Sequence, residues 1–170
     1  MTPLVTDPAW SWLKVAVDGD DLVVTDTVAT AFGGDSDPSD DGTTACGFNT
    51  KGHPDLVACS LPMRHDAIHD RVHGYVLKNS PIPNMPFGLD SRGRDNPRGA
   101  HIDVTFRNGL TIFNLPVIDL GPANWTKHGL DLTVGAARKL IANATANNFE
   151  QRVSYRIRGA AKFLQKGIGA

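Results

Sequence analysis

The sequence predicts a mainly β domain closed into a small barrel with one packed helix, and three observations carry that expectation. The 170 residues include 17 Asp but a single Glu, Glu150. Gly and Pro number 17 and 11, about a sixth of the chain against roughly 12% in average proteins. Asp, Gly and Pro favour turns and caps, whereas Glu favours helix interiors, so the balance opposes a helical bundle. Finally, the apolar residues alternate with polar ones in short runs separated by turn residues, the rhythm of strands with one face buried.

In chain order, Trp10–Phe32 reads as strand, turn, strand. Leu13, Val15 and Val17 alternate with polar or small neighbours, Gly19-Asp20-Asp21 breaks the run, and Leu22–Val24 and Thr27–Phe32 resume it. Gly33–Thr44 is a polar loop. Val57–Leu61 is a short apolar run. Residues 62–100 contain five Pro and four Gly and read as irregular, apart from a helix expected around Arg64–Tyr75. His101–Phe106 alternates, Arg107-Asn108-Gly109 is a hairpin turn, and Leu110–Phe113 and Leu115–Ile118 continue as strand. Asp119–Gly129 is a loop. Asp131 or Thr133 then caps a helix whose apolar face is Val134, Ala137, Leu140 and Ile141. Val153–Ile157 is a last strand before a short helical tail. A barrel is expected because it closes its own edges.

A formal net charge of -1 offers no electrostatic reason to expect nucleic acid or an anionic membrane as partner. No apolar run approaches the roughly 18 residues of a membrane span, and Met1–Leu4 lacks the basic and apolar regions of a signal peptide. One domain over 1–170 and a monomer are expected from this length. No cofactor motif is present. His65, His69 and His73 fall at i, i+4 and i+8, but HExxH is absent, so a charged, solvated helix is expected and no metal. The loop Asp35–Gly42 is rich in oxygen ligands yet lacks a closing Glu and contains Pro38, which excludes an EF-hand.

The feature richest in chemistry is Val117–Thr133, VIDLGPANWTKHGLDLT. A strand delivers Asp119, a Gly-Pro turn reverses the chain, and Asp131 arrives soon after. Two carboxylates at a barrel rim suit attack on a glycosidic bond, one carboxylic acid protonating the leaving oxygen. They equally suit a cap and an Asx-turn. Trp125 lies between them, where a sugar ring can stack; Trp10 and Trp12 are expected in the core.

ATAFGGDSDPSDDGTTACGF (29–48), together with VIDLGP and LDLT, resembles expansins and the rare lipoprotein A group of lytic transglycosylases. Ala136-Ala137-Arg138-Lys139-Leu140 is similar to a helix of the latter group, and FRNGLTIFNLPVIDLGP to its run into the aspartate. The matched blocks cover roughly residues 28–60 and 101–141. The resemblance implies a six-stranded double-psi β-barrel at 28–158, with an N-terminal hairpin at 1–27, an inserted loop at about 62–100 and a tail at 159–170. It implies Asp119 and Asp131 as catalytic residues. Thr30 and Asp35 or Asp37 fall beside the substrate groove. It also implies a disulfide between Cys46 and Cys59, which lie 13 positions apart. The transglycosylase histidine falls where this chain reads Val57-Ala58-Cys59-Ser60-Leu61-Pro62, leaving His101 or His128 as replacements. The aromatic-rich second domain of expansins has no counterpart within these 170 residues. The function implied is that of a secreted or cell-envelope protein acting on a polysaccharide, peptidoglycan or a plant or fungal wall glycan. A lytic transglycosylase is the first expectation and a non-catalytic, expansin-like binding module the alternative.

Overall fold

The computed structural model describes residues 1–33, 41–65 and 77–164. Eight strands form one sheet: β1 (Thr2–Pro3), β2 (Lys14–Asp18), β3 (Asp21–Phe32), β4 (Cys59–Leu61), β5 (His101–Phe106), β6 (Thr111–Leu120), β7 (Leu130–Thr133) and β8 (Glu150–Ile157). Six of them close on themselves in the order β3-β7-β4-β6-β5-β8 and back to β3, while β1 and β2 extend outward from the first half of β3. The pairs β3–β7 and β4–β6 are parallel and the other barrel pairs antiparallel. The chain is therefore mainly β, a closed six-stranded mixed barrel with an N-terminal hairpin.

Alternation fills the interior as the sequence predicts. Leu22, Val24, Ala29, Ala31, Leu61, Ile102, Val104, Leu115, Val117, Leu130, Leu132, Val153 and Ile157 are buried in one continuous core. Tyr155 joins them and places its hydroxyl on the Gly129 carbonyl at 2.7 Å, the partner a buried phenol requires. Trp10 is buried, its indole N–H donating to the Lys78 carbonyl, and Trp12 stacks on it.

Two bulges decide which side chains leave this core. In β3 the register shifts between Val24 and Thr27, where Asp26 has φ 50° and Ser154 Oγ accepts the Asp26 amide at 3.0 Å. The extra residue switches the inward set from Leu22 and Val24 to Thr27, Ala29 and Ala31, which turns Thr30 outward. In β6 a shift between the Val117 and Asp119 pairings inserts Ile118. Asp119 then pairs with outward-facing Ser60 instead of following Val117 into the core.

Three expectations need correction. The segment Leu130–Thr133, read as a helix entrance, is the central strand β7, hydrogen-bonded to β3 and β4 on either side. The packed helix is one turn, Val134–Ala137, capped by Thr133, whose Oγ1 accepts the Ala136 amide. Lys139 and Leu140 then bond three residues back, a tightening that ends the helix while Leu140 and Ile141 still pack on the core.

The third correction concerns the Cys46–Cys59 disulfide: both cysteines are free. Cys59 points into the core between β6 and β7, whereas Cys46 packs with Ala58, Ile118 and Leu89 on the outer side of the same strands. The sheet separates the two thiols. A bond across a loop this short is worth about 3 kcal/mol, or about 6–12 °C in a chain of this size. Dithiothreitol is therefore expected to leave the melting temperature unchanged in a thermal scan, and a fall of that order would show the thiols joined.

The 77–100 segment contains no strand beyond an isolated Leu89–Asp95 bridge, as its Pro and Gly content predicts. The expected helix over 64–75 lies almost wholly outside the described residues, as do Asp35, Asp37, His69 and His73. No helix is long and apolar enough to cross a membrane among the described residues.

Candidate functional site

The barrel register sets five polar side chains in one row across its outer face. Glu150 of β8 pairs with Thr30 of β3, Thr30 with Asp131 of β7, Asp131 with Ser60 of β4, and Ser60 with Asp119 of β6. Cross-strand partners share a face, and Thr30, Ser60 and Asp131 each stand between two core residues on their own strands: Ala29 and Ala31, Cys59 and Leu61, Leu130 and Leu132. At roughly 4.8 Å per strand the row is about 19 Å long, with the backbones of Asp131 and Asp119 about 10 Å apart.

Thr30 Oγ1 donates to Asp131 Oδ1 at 3.1 Å. Asp119 Oδ1 accepts the amides of Ala45 (3.0 Å) and Leu120 (2.9 Å), which orient the carboxylate and tie the 41–56 loop to β6. Ser60 is buried between the two acids, and its hydroxyl donates to the Gly121 carbonyl at 2.8 Å. Behind the row, burial pushes the Cys59 thiol far up, and the Asp131 charge adds to the same shift, so this sulfur is no nucleophile.

The 121–129 loop borders the row. Asn124 donates to the Ala9 carbonyl at 2.9 Å and Lys127 Nζ lies 5.6 Å over the Trp12 ring, which fastens the loop to the N-terminal segment. Trp125 is left 69% exposed at its tip. His128 closes the loop with Nε2 at 3.7 Å from Glu150 Oε1.

The structure thus brings Thr30, Asp119 and Asp131 into one row, with His128 at its end and Trp125 on the bordering loop. His101 is elsewhere. It is buried on β5, Nδ1 at 2.9 Å from the Gly99 carbonyl and Nε2 at 2.7 Å from Asp95, a pin for the 95–100 turn. Ser60 and Glu150 are additions that sequence reasoning missed. Ser60 stands in the stretch already singled out by its neighbours, but nothing in the spacing of Glu150 connects it to Thr30, 120 residues earlier. No group of three or more His, Cys, Asp or Glu suited to a metal ion occurs among the described residues. No protein-family model and no curated protein matches this chain.

Proposed function

We propose that the chain is a cell-wall glycan-active protein on a double-psi β-barrel, acting as a peptidoglycan lytic transglycosylase. The observation that carries this reading is the outward row in which Thr30, Asp131, Ser60 and Asp119 stand on four adjacent strands, with Thr30 bonded to Asp131. A glycan laid across the strands meets a carboxyl group at two points along its length. One carboxylic acid protonates the oxygen leaving from N-acetylmuramic acid. The resulting carboxylate takes the proton of that sugar's 6-hydroxyl, whose oxygen closes on the anomeric carbon to give the 1,6-anhydro product. The proton returns to the carboxyl group and no water is consumed, so one well-placed acid suffices.

The expansin-like alternative has its own support. The stretch that matches the transglycosylase histidine segment, Val57–Pro62, contains no histidine, and His101 is engaged with Gly99 and Asp95 away from the row. Incubation with purified sacculi separates the two. Release of 1,6-anhydro-muropeptides, read by mass spectrometry, is the expected result. Co-sedimentation with sacculi and no soluble product would overturn the transglycosylase in favour of the binding module.

A further inference from the structure

We propose a second binding groove, for a neutral oligosaccharide, on the outer face of β5, β6 and β8. A groove of about 310 Å³ opens there, inside the roughly 300–1,000 Å³ range of small-molecule sites. It shares no residue with the Thr30–Asp131 row and does not depend on the reaction proposed for it.

Charge decides the ligand class. Two charged side chains line the groove, Asp103 and Arg156. Asp103 is nine-tenths buried, pairs with Arg158 and accepts the Asn114 amide at 2.9 Å. Arg156 reaches Asp18 at 2.6 Å and Asp21 at 2.9 Å. These bonds hold the Arg156 guanidinium above its ordinary range; at Asp21, burial pulls upward but the Gly159 amide and Arg156 outweigh it and lower the carboxyl. Both lining charges are spent within the protein. Neither a phosphate nor a free ammonium group finds a counter-charge here.

What the groove offers instead is hydroxyl groups and a ring. Thr105 and Thr111 Oγ1 lie 2.9 Å apart, and one proton makes that bond, so the second hydroxyl proton is left to donate elsewhere. Ser154 Oγ accepts the Asp26 amide and keeps its own proton to donate. Phe113, on β6, is 67% exposed at the groove edge. A flat apolar ring beside hydroxyl donors matches a pyranose, whose C–H face stacks while its hydroxyl groups exchange hydrogen bonds.

Titration of isotope-labelled protein with chitotetraose and, separately, cellotetraose tests the assignment by amide chemical-shift mapping. At least one tetrasaccharide is expected to move Thr105, Thr111, Phe113 and Ser154. Phe113→Ala, a surface change that leaves the core intact, is expected to weaken those shifts about tenfold in apparent affinity. Shifts at Thr30, Ser60 and Asp131 should persist in that variant if the row binds as well, so failure of one site is distinguishable from failure of the other. Shifts confined to the row, no shifts with either sugar, or equal titrations of Phe113→Ala and the native chain would overturn the proposal.

Discussion

Asp131→Asn is expected to reduce anhydro-muropeptide release by about 10²–10⁴-fold, the range for losing a general acid–base group, without unfolding the barrel. The amide oxygen of Asn still accepts the Thr30 hydroxyl, and Leu130 and Leu132 on either side stay in the core. Asp119→Asn likewise preserves an acceptor for the Ala45 and Leu120 amides, so a loss of activity there also reports on chemistry. Thermal scans of both variants supply the control, since neither should shift by more than a degree or two. Full activity in both variants would remove the acid–base role from this row.

Gly99→Ala is the largest expected change in stability. A Cβ at this position meets the Phe87 carbonyl well inside contact distance, with the Gly88 nitrogen just beyond. That backbone has little room to retreat: the Gly88 amide bonds the Val117 carbonyl at 2.8 Å and the Ala100 amide bonds the Pro86 carbonyl at 2.8 Å. Relief must therefore come from breaking ladder-like bonds at the edge of β6. A cost of at least about 3 kcal/mol follows, or about 6–12 °C in the melting temperature. A denaturation curve indistinguishable from that of the native chain would show that the turn gives way freely.

The hairpin of β5 and β6 was legible because its information is local. HIDVTF alternates, Asn108-Gly109 turns with Gly109 at φ 88°, and the return strand follows at once. The β2–β3 hairpin is marked in the same way by Gly19. Strand β7 was not legible: four residues carrying Asp131 and Thr133 look like a helix cap, and only the neighbours β3 and β4, distant in sequence, make them a strand. The failed disulfide has a similar cause. Sequence separation made the bond attractive, but the face on which each cysteine stands is a property of register. Asp119 and Asp131 stood out in the strand-turn-strand stretch Val117–Thr133 itself, and Thr30 was reached through resemblance to a family; Ser60 and Glu150 required the pairings themselves. The bulges at Asp26 and Ile118 carry no distinctive residue type, yet they decide that Thr30 and Asp119 face outward.

The closing pair, Thr30 with Glu150, has a consequence for how the chain is made. During synthesis β3 precedes β8, and the edge that will receive β8 stays open until another 120 residues have followed. Such non-local closure slows folding, because the entropy of the loop is lost before the contacts that reward it form. Meanwhile the long apolar strand Asp21–Phe32 presents unpaired amides and carbonyls to any neighbouring chain. The hairpin with β2 covers only half of one edge. A chain stopped short of β8 is thus expected to aggregate through that open edge more readily than the full-length chain.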